Sequence, residues 1–153
     1  MPIPFLRMRL VSHEKNYMNA VDTNVLIYAR DPRDLTKRAK ASTLLQSLTD
    51  GVLLWQVSIE YMAASRKLIP FGYDRSQAYQ DLIDMRRAWV TILPVWIIQD
   101  IAEDLLTRYS LSFWDALLIA ACLEGGVTRL YSEDFDGYSH IESLTLVNPF
   151  KSP

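Results

Sequence analysis

The sequence predicts a single α/β domain with a parallel sheet flanked by helices on both faces. The chain is 153 residues long, which fits one domain and is short for two. Half of its residues are hydrophobic, enough to bury a core without disulfides or structural metals. Short apolar runs of strand length alternate with longer segments of helical periodicity, a pattern typical of parallel sheets covered by helices.

The predicted elements of the first half are two strands and three helical segments. A strand over about 18–22 leads into a helical turn over 25–30, and a helix follows over about 34–49. The apolar run 52–55 has strand length. Ser58 is expected to cap a helix that extends to about residue 68 and is ended by Pro70 and Gly72.

The second half continues the alternation. A helix from Asp74 carries apolar residues in steps of four, three and four, and a nearly all-apolar helix begins at Ser112 and stops before Gly125. The remaining predicted elements are the strands 90–93, 127–131 and 144–147 and a helix over about 97–109. The domain is therefore expected to contain five strands. It spans residues 18–153, and residues 1–17 are expected to be an N-terminal extension: either an ordinary arm or a segment upstream of a natural start at Met18.

The composition excludes several classes of protein. Cys122 is the one cysteine, and it is expected in the core; with only two histidines, neither a disulfide framework nor a zinc site is expected. Scarce cysteine favours a reducing compartment, and no run reaches the length of a membrane span, so we expect a cytoplasmic protein. The formal net charge of −2 is unlike that of most nucleic-acid-binding domains, so contact with nucleic acid needs a local basic patch or bound metal.

Four carboxylates fall where a parallel sheet gathers its ligand-binding residues. Asp22 ends the first strand, Asp134 follows the fourth, and Glu60 and Asp115 lie in the first turns of two helices. The carboxyl ends of parallel strands and the helix N-termini after them share one edge of the sheet, so these acids are expected to meet. Each acid alone has an ordinary explanation, because carboxylates are favoured in first helical turns and in loops.

The combination of these acids favours a metal site. Asp22 and Asp115 have apolar neighbours in the sequence, so their surroundings are expected to be buried. Carboxylates that converge in a partly buried site repel one another unless they are protonated or bridged by a cation. Ligation by oxygen alone favours Mg²⁺ or Mn²⁺ over zinc, and such ions suit phosphate chemistry.

Four segments resemble the acidic motifs of the PIN-domain family, and the similarity is greatest to the VapC-like toxins of type II toxin–antitoxin pairs. The motifs lie at 20–24, 58–60, 112–117 and 132–135, and residues 147–150 are similar to the last strand of that family. The resemblance covers about 18–150. The first and third motifs are specific as a pair, whereas the motif around Glu60 is weak alone.

The resemblance implies the strand order 3-2-1-4-5 and a Mg²⁺-dependent endoribonuclease that uses a metal-activated water. The implied metal-binding and catalytic residues are Asp22, Glu60, Asp115 and Asp134. Supporting roles fall to Thr23, Asn24, Ser132 and Asp136. The implied partners are an RNA substrate, a cognate antitoxin and a second copy of the chain. Glu133 and Asp136 compete with Asp134 for the fourth role, but alternation along an extended segment puts Ser132 and Asp134 on one face and turns Glu133 away.

Five basic residues lie within eleven positions that start shortly after Asp22. Acidic residues at 31 and 34 are interleaved with them. We interpret Arg30 and Arg33 as contacts to the RNA backbone, and Lys37 and Lys40 as part of a solvated helix face.

Other functions fit less well. A phosphatase with an aspartyl nucleophile needs a second aspartate at position 24, where this chain has Asn24. A dinucleotide-binding fold needs a glycine-rich turn after the first strand, which is missing. The remaining alternative is a PIN-like scaffold without nuclease activity that acts through protein partners; the presence of all four acids argues against it.

Overall fold

A six-stranded sheet forms the centre of the fold in the computed structural model, which describes residues 18–152. The predicted extension, residues 1–17, and the last residue lie outside the described residues. The strands are β1 (Asn19–Val21), β2 (Gly51–Leu54), β3 (Val90–Ile92), β4 (Arg129–Tyr131), β5 (His140–Ile141) and β6 (Leu144–Val147). Their order across the sheet is β3-β2-β1-β4-β6-β5.

Five of the strands are parallel and follow the order implied by the resemblance. β1 lies between β2 and β4, with β3 beyond β2 and β6 beyond β4. The α/β class is confirmed, but the predicted count of five strands is wrong, because β5 pairs antiparallel with β6 at the edge. β5 has only two residues and depends on a tight turn in which Glu142 has a φ of 52°, so no apolar run marks it in the sequence.

Six α-helices flank the sheet within residues 18–152. They are α1 (Thr23–Tyr28), α2 (Leu35–Ser47), α3 (Trp55–Ala64), α4 (Arg75–Ala88), α5 (Trp96–Arg108) and α6 (Phe113–Glu124), with a 3-10 helix at Ser65–Phe71. None of these helices is long and apolar enough to cross a membrane. Side-chain caps begin several of them: Asp34 caps α2, Asp74 forms a capping box with Gln77 on α4, and Ser112 caps α6.

The predicted start of α3 at Ser58 is wrong. The helix begins at Trp55, directly after β2, and Leu54 precedes it without a side-chain cap. The Ser58 hydroxyl donates instead to the carbonyl of Trp55 at 2.6 Å, as a serine inside a helix does. Glu60 therefore lies in the second turn of α3, not in the first.

The core lies between the sheet and the helices. Every residue of β1 and β2 is buried, and so is half of α6. Cys122 is among the buried residues of α6, as expected for a small core side chain. This core fixes where β1, β4, α3 and α6 end or begin, and those ends carry the site residues.

Gly51 begins β2 at a place where the Trp89 indole occupies the space of a side chain. A Cβ on Gly51 would lie 2.2 Å from Cε2 of Trp89. We expect Gly51→Ala to lower the free energy of unfolding by about 1–3 kcal/mol, because the indole or the strand must shift. In a Trp89→Leu background the same change should cost less, as denaturant unfolding of the four proteins would show. Equal costs in both backgrounds would contradict the packing explanation.

Candidate active site

The site lies at the carboxyl ends of β1 and β4, where the order of the strands along the sheet reverses. Ligands of open α/β sheets bind in the crevice at this point. Val21 pairs with Tyr131, so the residues that follow each of them are neighbours. The amide of Asp22 donates to the carbonyl of Tyr131 at 2.8 Å, and the Ser132 hydroxyl donates to Oδ2 of Asp22 at 2.7 Å.

Asp22 is the most enclosed acid of the site, with 6% of its surface exposed. Its Oδ1 caps α1 by accepting the amide of Thr23 at 2.7 Å. Burial raises the pKa of Asp22 to about 6, against the lowering effect of the hydrogen bonds from Ser132 and Thr23. The charges of Asp134 and Glu60 raise this pKa further, so both acids act on Asp22.

Glu60 reaches the site from α3. Its Oε2 accepts the Thr23 hydroxyl at 3.0 Å, and its Oε1 accepts Nε2 of Gln56 at 2.8 Å. Nε2 of Gln56 also donates to the backbone carbonyl of Trp114 at 3.3 Å, which joins α3 to the start of α6. The sequence interpretation missed Gln56, although its position four residues before Glu60 places both on one helix face.

Asp134 is held by Asn24, whose Nδ2 donates to Oδ2 of Asp134 at 3.1 Å and lies 3.4 Å from the Ser132 hydroxyl oxygen. The amide of Asp134 donates to the same hydroxyl at 3.1 Å, so Ser132 and Asp134 lie on one side, as the alternation predicts. Burial raises the pKa of Asp134, the Asn24 hydrogen bond lowers it, and the charges of Glu133 and Asp115 raise it further.

Asp115 lies in the first turn of α6, as predicted, and its amide donates to the Ser112 hydroxyl at 3.1 Å. The side chain is half-buried. Its charge is among those that raise the pKa of Asp134, so the two carboxylates interact electrostatically. The structure thus links the four predicted acids in one electrostatically coupled group.

The carboxylates do not touch one another closely. Among residues 18–152 no three His, Cys, Asp or Glu side chains stand close enough together to hold a metal ion between them. Mg²⁺ does not require such a cluster, because it keeps several waters and is often bound through one or two carboxylates.

Two observations fit a hydrated divalent cation at this cleft. In the described part of the chain, none of the four acids forms an ion pair with a lysine or arginine. The oxygens Asn24 Oδ1 and Gln56 Oε1 are buried and accept no hydrogen bond from any described residue. Waters carried by a cation would donate to such oxygens, and the all-oxygen donor set suits Mg²⁺ or Mn²⁺.

The other predicted residues form ion pairs of their own. Asp136 is exposed, and its Oδ1 pairs with Nζ of Lys151 at 2.6 Å. Arg30 and Arg33 are about half exposed, and each is paired with an acid: Arg30 with Asp81 at 2.7 Å and Arg33 with Asp31 at 2.8 Å. Their guanidinium groups also stack on the rings of Tyr73 and Phe71, respectively.

Lys37 does not belong to a solvated helix face. Its Nζ pairs with Oε2 of Glu133 at 2.8 Å, and this hydrogen bond, followed by the one to the Tyr28 hydroxyl, raises the pKa of Lys37. Glu133 thus bonds to Lys37 and Tyr28, whereas Asp134 bonds to Asn24 and Ser132. Lys40 lies one turn farther along and donates to the carbonyl of Phe150 at 3.2 Å.

The burial of Asp22 makes the stability of the metal-free protein depend on pH. The folded-state pKa of about 6 exceeds the ordinary value of 3.8, so folding favours the protonated form, and this group's contribution is lost as pH rises through 6. In chelator near pH 7.5, Asp22→Asn should raise the free energy of unfolding by about 1–3 kcal/mol, and roughly half of that gain should remain near pH 5.

Denaturant unfolding of both proteins at the two pH values measures this difference. Asparagine keeps an oxygen that can accept from Thr23 or Ser132, so the comparison chiefly removes the charge. A variant less stable than the wild type at both pH values would show that the hydrogen bonds of the carboxylate outweigh its burial.

Solved structures with the same fold include three from bacterial toxin–antitoxin systems. A toxin–antitoxin complex from Klebsiella pneumoniae matches with a TM-score of 0.64 at 18% identity, covering 86% of this chain and 97% of that one. VapC20 from Mycobacterium tuberculosis, a toxin that cleaves the sarcin–ricin loop, matches with a TM-score of 0.60 at 20% identity, covering 77% and 91%. VapBC2 from Rickettsia felis, bound to a DNA fragment from its promoter, matches with a TM-score of 0.58 at 16% identity, covering 86% and 98%.

At these identities the likeness establishes the fold. No curated protein sequence matches the chain significantly. The family model of the PIN domain matches residues 20–142, which is well over half of the chain and runs from β1 to the turn after β5. That span contains all four acids of the cleft, and the chain belongs to the PIN-domain family.

Proposed function

We propose that this protein is a divalent-cation-dependent endoribonuclease that hydrolyses RNA phosphodiester bonds and serves as the toxin of a toxin–antitoxin pair. The observation that carries the proposal is the group of four carboxylates at the sheet's reversal point, without a basic partner among the described residues. Membership of the PIN-domain family supports it, as does the fold shared with VapC20, a toxin that cleaves the sarcin–ricin loop.

Asp22, Glu60, Asp115 and Asp134 would hold Mg²⁺ or Mn²⁺ in this site. When bound, such an ion lowers the pKa of water and neutralises charge on a leaving oxygen. The residues around the acids orient them: Ser132 fixes Oδ2 of Asp22 at 2.7 Å, Thr23 bonds both Asp22 and Glu60, and Asn24 holds Asp134.

Asn24 also has a chemical role in the proposal. Its Nδ2 is used by Asp134, which leaves Oδ1 as a buried acceptor beside the carboxylates. An acceptor in that place orients the protons of an attacking water, and it does so without a histidine or lysine base. Asp136 is proposed as a more distant acid that adds to the negative potential near Asp134.

Contact with the RNA backbone is proposed for Arg30 and Arg33. Both belong to the segment that directly follows α1, the helix capped by Asp22. Their guanidinium groups are held by acids and stacked on aromatic rings, so they are pre-oriented and still about half exposed. Arginines oriented in this way can share donors with a phosphate.

A cognate antitoxin is the proposed protein partner, and a second copy of the chain is the proposed partner in a homodimer. Large apolar side chains are exposed beside the site, above all Trp96, with 81% of its surface exposed. A cavity of about 630 Å³ next to it is lined by Trp55, Leu93 and Leu117, among others. Exposed apolar surface of this kind is typical of protein interfaces.

We also propose that the protein acts in the cytoplasm, because its RNA substrate occurs there.

The first test replaces a carboxylate of the cleft. Purified Asp115→Asn should lose RNA cleavage by at least about a hundredfold, because a charged oxygen is removed where negative charge must be balanced. The amide hydrogen bond to Ser112 that caps α6 is retained, so the circular dichroism spectrum should not change. The readout is cleavage of a mixed RNA pool in Mg²⁺, with a chelator control that should abolish cleavage by the wild type.

Asp84→Asn is a matched control, because Asp84 is an exposed acid of α4 whose one hydrogen bond within the described residues comes from Gln80, at 3.0 Å. It should cleave like the wild type. If the wild type leaves RNA intact in Mg²⁺ and Mn²⁺, the chain is the binding scaffold considered above and the enzymatic proposal fails. Sequencing the 5′ ends of RNA cut during expression would identify the target.

A further inference from the structure

The segment 132–136 carries three acids, and two of them form ion pairs with lysines. Glu133 pairs with Lys37 at 2.8 Å, and Asp136 pairs with Lys151 at 2.6 Å. Asp134, between them, pairs with no lysine or arginine in the described part of the chain. Asp134 is therefore the acid of this segment whose charge is not balanced by an ion pair within the described residues.

The pair of Lys37 and Glu133 is the more enclosed of the two, with side-chain exposures of 32% and 23%. The Tyr28 hydroxyl donates to Oε1 of Glu133 at 2.9 Å, so both oxygens of that carboxylate are engaged. Nζ of Lys37 lies 3.1 Å from the Tyr28 hydroxyl oxygen and 4.4 and 5.4 Å from the ring centres of Tyr28 and Phe150. The ammonium group is thus held by an acid, a hydroxyl and two rings.

We propose that Lys37 is a positioning residue that holds the Glu133 carboxylate out of the cation site, so that Asp134 is the acid of this segment that faces the cation. The inference rests on the proposed function. Glu133 is the chain neighbour of Asp134, and a glutamate side chain is long enough to turn between the two sides of the segment. Without Lys37, the Tyr28 hydroxyl is the partner that Glu133 keeps among residues 18–152.

A freed Glu133 would change the site in a definite direction. It would add a fifth negative charge to a cleft that already holds four carboxylates. A cation would be bound more tightly, and the phosphates of RNA would be repelled. Loss of Lys37 is therefore expected to strengthen cation binding, whereas damage to the fold would weaken it.

The experiment measures Mn²⁺ binding to the full chain by electron paramagnetic resonance. Lys37→Met keeps an apolar stem against Tyr28 and Phe150 and removes the charge. It should lower the dissociation constant for Mn²⁺ by about threefold or more at low ionic strength. Lys37→Arg, which keeps the charge, should bind Mn²⁺ as the wild type does.

A double-mutant cycle separates the effect of a freed Glu133 carboxylate from the effect of simply losing the positive charge of Lys37. In a Glu133→Gln background, Lys37→Met should change the Mn²⁺ affinity much less than it does in the wild-type background. An equal change in both backgrounds would overturn the proposal, because the effect would then come from the lost charge alone.

Lys40→Met is the matched control for charge on the same helix. Lys40 donates to a backbone carbonyl of Phe150 and holds no acid in the described residues. Its removal should change Mn²⁺ affinity clearly less than the removal of Lys37. Tightening of the same size would also overturn the proposal.

The outcomes keep the two proposals distinct. A wild type that binds no Mn²⁺ would overturn both the metal site and the role of Lys37. A wild type that binds Mn²⁺ and cleaves RNA, with additive effects in the cycle, would overturn the role of Lys37 alone. Circular dichroism melting checks that each variant is folded, and Lys37→Gln replaces Lys37→Met if the latter is not.

Discussion

The hydrogen bond from the Ser132 hydroxyl to Asp22 joins the two strands between which the site forms. It connects the residue after β1 to the residue after β4 at 2.7 Å, in a place where both side chains are buried. The same hydroxyl accepts the amide of Asp134 at 3.1 Å, so one oxygen sets the positions of two carboxylates. Asp22 in turn caps α1, and α1 carries Thr23 and Asn24 to the other acids.

The charges around the site show how an acidic cleft coexists with a stable fold. Arginines and lysines neutralise the acids that surround it, such as Asp31, Asp81 and Glu133. Hydrogen bonds from hydroxyl and amide groups, which carry no positive charge, hold Asp22, Glu60 and Asp134. The difference in partners leaves the negative potential concentrated at the reversal point of the sheet.

Much of this arrangement was predictable from local sequence. Apolar runs predict the strands that end at Asp22 and before Asp134, and the capping residue Ser112 predicts the start of α6. The change of direction in the strand order of a parallel sheet then brings the acids together. The start of α3 was missed because the helix follows β2 without a capping side chain, and β5 was missed because two residues leave no pattern. The partner of Lys37 lies 96 positions away, and only the tertiary fold brings it there.

Helix α1 has only six residues, yet three of them contact different parts of the site. Thr23 contacts Glu60 on α3, Asn24 contacts Asp134, and Tyr28, four positions after Asn24 and on the same face, contacts Glu133. A residue inserted between Asn24 and Tyr28 would rotate Tyr28 by about 100° around the helix axis and turn its hydroxyl away from Glu133. The spacing within α1 is therefore fixed by the segment after β4, and an insertion within this helix would break the contact between Tyr28 and Glu133.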